Sequence, residues 1–204
     1  MAILSDKDIA VLLMDKTLKI SPLEVSQIQP ASVDLRLGGT LQVPEAGQTV
    51  DLDPVAEKPK VTLKTVSLDN GPFVLKPGEC VRGATLEELE IPDFCNAKIY
   101  NKNSLALHGL TVTGTCYINP GYKGCMPLFI KNEGPCEIKL HKGVQICQLE
   151  VCALQNKAHS PYSERYSEAR IREMAEFMKR EFVDARPRGA LSRYLEESIK
   201  NLSK

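Results

Sequence analysis

Turn-forming residues recur along this chain at intervals too short to leave room for long helices: Gly38-Gly39, Asn70-Gly71, Pro77-Gly78, Pro92, Pro120-Gly121, Gly134-Pro135 and Gly143. Proline has no backbone N–H to give and glycine enters left-handed conformations freely, so each of these marks a turn. Between them apolar residues alternate with polar ones, as in Val33, Leu35 and Leu37, in Val61 and Leu63, and in Val144 and Ile146. A period of two puts one side of a strand on a core and the other in water. Many short strands separated by turns predict a mainly β fold, an antiparallel barrel or sandwich rather than a helix-alternating parallel sheet.

Both ends depart from this pattern. Ser5 with Asp8 three residues later has the form of a capping box, and Ile9, Leu12 and Leu13 make an apolar stripe, so a short N-terminal helix is expected. From Ser160-Pro161 onward Ile171, Met174, Ala175, Met178 and Phe182 fall at helical spacing. Pro187 and Gly189 interrupt, and Leu191, Leu195, Ile199 and Leu202 form a second stripe. The expected organisation is a β domain over 1–159 and a C-terminal helical extension over 160–204. That extension packs on its own barrel or on a neighbouring subunit, or else it binds a partner.

Lys+Arg and Asp+Glu both total 26, so formal net charge is zero, which argues against binding nucleic acid or an anionic membrane through bulk charge. No apolar run approaches the roughly 18 residues of a membrane span, and Met1 to Asp8 lacks a basic-then-apolar leader pattern. A soluble, cytoplasmic protein is expected. The seven cysteines are odd in number, contain no C-x-x-C and sit mostly in strand-like stretches, which suits reduced thiols serving as small hydrophobes. His108, His141 and His159 lack paired-ligand spacing, and no zinc site is expected. The chain has no phosphate-binding G-x-x-x-x-G-K-[ST] loop, no G-x-G-x-x-G and no G-x-S-x-G. The metal-holding signature of zinc nucleobase deaminases is missing too.

Three stretches carry a resemblance. The first runs Ile28-Gln29-Pro30-Ala31-Ser32-Val33-Asp34-Leu35-Arg36-Leu37-Gly38. The second is Val74-Leu75-Lys76-Pro77-Gly78-Glu79 followed by Thr85, Glu87 and Ile91-Pro92. The third extends from Lys102 to Gln148 and holds Asn103-Ser104-Leu105-Ala106, Ile118-Asn119-Pro120-Gly121-Tyr122-Lys123-Gly124 and Gly143-Val144-Gln145-Ile146-Cys147-Gln148. In this order they resemble the dCTP deaminase and dUTPase superfamily over roughly residues 3–166. The N-terminal half is similar to the deaminases, whereas the spacing from Lys102 to Gly124 is that of a dUTPase.

The resemblance implies a distorted antiparallel β-barrel that forms homotrimers, with sites for a pyrimidine deoxynucleoside triphosphate between subunits. It puts Lys102 and Ser104 at the triphosphate, where a cation and a hydroxyl suit clustered phosphate oxygens, with Asn103 replacing a serine between them. It gives the Ile118–Tyr122 hairpin, Asn119 included, to the pyrimidine, and lays Tyr122 against the deoxyribose. Gln148 matches a phosphate-contacting glutamine, and Tyr162 and Arg165 match a closing segment over the nucleotide. Asp34 matches an aspartate that helps to hold hydrated Mg²⁺ in dUTPases, so Mg²⁺ accompanying the triphosphate is implied.

The departures from the family pattern fall on the reacting positions. The deaminase glutamate that shuttles protons is Phe129, most simply a core residue of a strand, and the arginine of S-S-L-A-R is Leu107. The dUTPase aspartate that activates water is Asn119. Losing a positioned acid–base group typically costs on the order of 10²–10⁴ in rate. Glu133 and Glu137 lie beyond the following turn, and Glu150 is expected to point away from Gln148. Three functions follow from the resemblance: deamination of dCTP to dUTP, hydrolysis of dUTP to dUMP and pyrophosphate, or a catalytically inactive nucleotide-binding or protein-interaction module. Ancestry favours the first, and the chemistry at Asn119 and Phe129 the third.

Overall fold

Ser5 sets the first element. In the computed structural model, which describes residues 2–51, 61–114, 117–159 and 161–162, its hydroxyl accepts from Asp8 N at 3.3 Å while its own N–H donates to the Asp8 carboxylate at 3.1 Å. This box caps helix α1, Asp6–Met14, and the helix buries Ile9 with Leu12 and Leu13 packed beside it. The expected N-terminal helix is present.

Almost everything else is strand. The order is β1 (Ala2–Ile3), β2 (Lys19–Ser21), β3 (Ile28–Gln29), β4 (Ser32–Arg36), β5 (Thr40–Pro44), β6 (Leu63–Ser67), β7 (Phe73–Leu75), β8 (Cys80–Glu90), β9 (Cys95–Asn101), β10 (Leu110–Gly114), β11 (Tyr117–Ile118), β12 (Lys123–Asn132), β13 (Ile138–Leu140) and β14 (Gln145–Ala153), with a one-turn helix α2, Asn103–Ala106, after β9. One sheet runs β11-β9-β14-β4-β3, with β1 also on β14. The second runs β10-β12-β8-β5-β6, with β2 also on β8, and β13 pairs with β7. Every pairing is antiparallel. The fold is mainly β, as expected, but among the described residues the ladders leave open sheets rather than a closed barrel.

Alternation builds the core between these sheets. Met126, Leu128 and Ile130 of β12 are buried, as are Val81 and Leu89 of β8 and Leu149 and Val151 of β14. Phe129 is therefore not a core residue: sequence parity with Leu128 and Ile130 turns it to the opposite, half-buried side of β12. On β8 the inward parity carries two polar residues, Thr85 and Glu87, into the interior beside Leu89. The β12–β8 ladder slips register between Cys125 and Pro127, opposite these two residues, as a β-bulge does. Alternation also fails on β4, where Asp34 is buried along with Val33 and Leu35.

The described residues through Pro161 form one unit. The helical stripes expected beyond residue 162 lie outside the described residues, as do Cys116 and Arg165. Among the described residues no helix is long and apolar enough to cross a membrane.

Candidate functional site

Strand register brings three of the expected residues together. Asp34 of β4 lies directly opposite Gln148 of β14, and Gln148 lies opposite Tyr100 of β9, two residues before Lys102. Lys102 Nζ donates to Asp34 Oδ2 at 2.6 Å. The carboxylate side chain is 2% exposed and the lysine 22%, so the pair is nearly dry on one side and reaches water on the other. Asp34 Oδ1 is buried and has no hydrogen-bond partner. The Lys102 carbonyl starts the α2 turn by accepting from Leu105 N and Ala106 N at 2.9 and 3.0 Å. That turn presents Asn103 and Ser104 to solvent. Leu107, in the position of the family arginine, is 87% exposed.

The loop closes tightly behind α2. Gly109 has φ of +81°, and a Cβ there would meet Gly134 backbone at 2.4 Å. Only glycine satisfies both demands. The open groove beside this contact, about 650 Å³, is lined mainly by Leu105, Leu107, Leu110, Pro135 and Ile138.

The hairpin residues gather elsewhere. Ile118 is buried and pairs with Ala97. Pro120 and Gly121 make the turn, with Gly121 at φ of +80° and Tyr122 N donating to Asn119 O at 3.2 Å. Two backbone bonds to Ile91, at 2.9 and 3.0 Å, fix the hairpin to the end of β8. Tyr122 packs its ring against the core and donates its hydroxyl to Cys125 O at 2.8 Å. Ala97, the partner of Ile118, lies four residues before the end of β9 at Asn101. At about 3.3 Å per residue the hairpin and the Lys102 loop are roughly 13 Å apart or more.

A buried polar cluster forms around Glu87, which the sequence offered only as part of the second family-like stretch, without a role. Glu87 is fully buried; Arg36 Nε donates to its Oε1 at 2.7 Å and Arg36 N to its Oε2 at 2.8 Å. Gln27 Nε2 donates both to Glu87 Oε1 at 3.0 Å and to Asp34 O at 2.7 Å. The hydrogen bond that Arg36 donates to Glu87, more than the charge of Glu87, holds the Arg36 guanidinium pKa above its ordinary value, and Glu24 adds to it. The available signal was parity, since in Thr85-Leu86-Glu87-Glu88-Leu89 the first glutamate shares the face of Leu89.

Two carboxylates need placing. Glu150 stands two residues from Gln148 on β14 and so shares its face, which corrects the expectation that it points away. It accepts from Tyr100 Oη at 3.4 Å and lies 3.8 Å from Lys98 Nζ. Glu88 is exposed and opposes Cys125. Burial, then the charges of Glu88 and Glu87, push the Cys125 thiol pKa up.

Among the described residues no group of three or more His, Cys, Asp or Glu could hold a metal ion. Asp34 is a lone carboxylate with one oxygen on Lys102, so it does not make a direct ligand set. Its buried Oδ1 suits at most a hydrogen bond from water on an ion that phosphates carry.

The sequence model of the dCTP deaminase-like family matches residues 3–153. The dUMP-forming dCTP deaminase of Dictyoglomus turgidum is 36% identical over 164 residues, covering 78% of this chain and 84% of that protein. The dUMP-forming dCTP deaminase of Streptomyces griseus is 36% identical over 166 residues, covering 80% and 87%. The crystal structure of 2′-deoxycytidine 5′-triphosphate deaminase from Agrobacterium tumefaciens superposes with a TM-score of 0.59 at 24% identity. That match spans 86% of this chain and 53% of the deaminase chain, about half its length, and it speaks to the fold. With three-quarters of its length matched by the family model and relatives above one-third identity, the chain belongs to the dCTP deaminase-like family.

Proposed function

We propose that this protein binds pyrimidine deoxynucleoside triphosphates, dCTP and dUTP, at a site of the dCTP deaminase type, and turns them over slowly or not at all. The observation that carries this reading is the contrast between its two kinds of site residue. Lys102, Asp34 and Gln148 keep a cation, a partner that orients it and an amide in one place. The reacting positions hold Asn119 and Phe129, neither of which transfers a proton near pH 7.

Converting dCTP to dUMP replaces the 4-amino group by oxygen and also cleaves between the α- and β-phosphates, so both ends need acid–base help. In this reading neither has it. A site completed by a second copy, in the homotrimer of the family, belongs to this reading. Asn103 and Ser104 would meet phosphate, while Ile118, Asn119 and Tyr122 of the next copy meet base and sugar. Mg²⁺ would arrive with the triphosphate, its water hydrogen-bonded to Asp34. The domain division at 159/160 and a cytoplasmic setting belong to the same reading.

The test is incubation of the protein at high concentration with dCTP and, separately, with dUTP plus Mg²⁺, followed by anion-exchange separation, with affinity measured by calorimetry. Binding without product is expected. Rapid formation of dUTP or dUMP would make it a working enzyme, with Glu88 or Glu150 the first carboxylates to replace. Absence of binding to either nucleotide would overturn the reading.

A further inference from the structure

We infer that Glu87 is a positioning hub that holds the phosphate-side residues and the hairpin of one subunit in fixed relation, with Gln27 and Thr85 as its two arms. Hydrogen bonds trace it, joined by short covalent steps within Asp34, within Glu87 and across the Cys125–Met126 peptide. Lys102 Nζ donates to Asp34 Oδ2 at 2.6 Å, and Gln27 Nε2 bridges Asp34 O and Glu87 Oε1 at 2.7 and 3.0 Å. On the far side Thr85 Oγ1 donates to Glu87 O at 2.7 Å and accepts from Met126 N at 2.8 Å. Met126 lies in the register slip, next to Cys125, whose carbonyl holds the Tyr122 hydroxyl at 2.8 Å.

Each arm meets a demand that strand pairing leaves open. Met126 sits in the interval the β12–β8 register skips, where its amide has Thr85 instead of a ladder partner. Gln27, Thr85 and Glu87 are all buried, so no water substitutes if one is removed. Arg36 neutralises Glu87 from the strand that carries Asp34. Asp34 is thus tied through Gln27 to the Glu87 carboxylate, and Tyr122, in the turn before β12, through the Cys125–Met126 peptide and Thr85 to the Glu87 main-chain carbonyl. This inference rests on the nucleotide-binding reading for its consequence, and on geometry alone for the linkage.

The experiment uses the full chain and two arm variants. Thr85→Val keeps shape and loses the hydroxyl, whereas Thr85→Ser retains it. Hydrogen exchange is followed in peptides covering 101–107 and 118–127, with 63–70 as reference. Thr85→Val should accelerate exchange severalfold in both site peptides and leave the reference unchanged, and Thr85→Ser should behave as the parent. Gln27→Met should reproduce the pattern from the opposite end. Tripolyphosphate affinity, read by calorimetry, should fall about tenfold in Thr85→Val, the size of one lost buried hydrogen bond, although Thr85 lies on the hairpin side.

Acceleration confined to 118–127 in Thr85→Val would overturn the hub, as would a Thr85→Ser variant no better than valine. A parent protein that binds neither dCTP nor tripolyphosphate would sink the nucleotide reading, and the exchange data would still decide the linkage.

Discussion

Replacing Lys102 by methionine measures whether the Asp34–Lys102 pair is a buried contact or a surface one. Asp34 is 1% exposed, its Oδ2 rests on Lys102 at 2.6 Å, and its Oδ1 has no partner. Removing one member of a fully buried pair costs about 3–5 kcal/mol, because the survivor stays charged in a dry place. Lys102 retains 22% exposure, so water reaches the gap and the expected loss is about 2–3 kcal/mol. Asp34→Asn should cost less, about 1 kcal/mol, since the freed ammonium turns toward solvent. The double variant should be more stable than the sum of the singles allows, with a coupling of about 1–2 kcal/mol. Urea unfolding followed by circular dichroism is the assay, at one fixed chain concentration because assembly would shift the midpoint. The chain has no tryptophan, so fluorescence is the poorer probe. Additive losses below about 0.5 kcal/mol would place the pair among ordinary exposed ion pairs and refute the reasoning.

Gly109→Ala combines a left-handed backbone with a Cβ 2.4 Å from Gly134, and should cost about 2–4 kcal/mol in the same assay. Burial, then the charges of Glu87 and Asp34, push the Cys147 thiol up to about 12 from an ordinary 9.0. The folded state therefore keeps a proton that the unfolded chain gives up, so this contribution is full below pH 9.0 and is lost as pH rises toward about 12. Urea stability should fall over that window by up to about 1.4 kcal/mol per pH unit, less so in Cys147→Ala. Ser5→Ala removes the capping box of α1 and should cost about 1 kcal/mol. Restoring carboxylates with Asn119→Asp and Phe129→Glu together should raise product formation from dCTP at least about 100-fold, read by chromatography, and Phe129→Gln should give no such gain.

What the sequence disclosed is what local rules govern. The Ser5–Asp8 box, the turns and the burial of Val33, Leu35 and Leu37 depend on near neighbours and were legible. Phe129 misled because an aromatic residue in a strand suggests a core, whereas its parity is set by Leu128 and Ile130 on either side. Glu150 was misplaced by a lapse in the same period-two rule. The Glu87 cluster could not be assembled from spacing, since its partners Arg36 and Gln27 lie 51 and 60 positions away. Asp34 and Lys102, 68 apart, were both singled out through the family resemblance, but only the structure pairs them.

The buried polar groups and the reacting positions answer to different physics. Glu87 with Arg36, and Asp34 with Lys102, place charge where well-packed apolar side chains would be as stable or more so. Stability alone does not account for them, whereas orientation does, because each charge is fixed by directional bonds to a named neighbour. Asn119 and Phe129 are only half-buried, where changing a side chain disturbs little packing. A protein built this way loses proton transfer without losing the arrangement that receives the nucleotide. Affinity that survives the absence of turnover, and that falls when a residue remote from the phosphates such as Thr85 is altered, is the combination this arrangement requires.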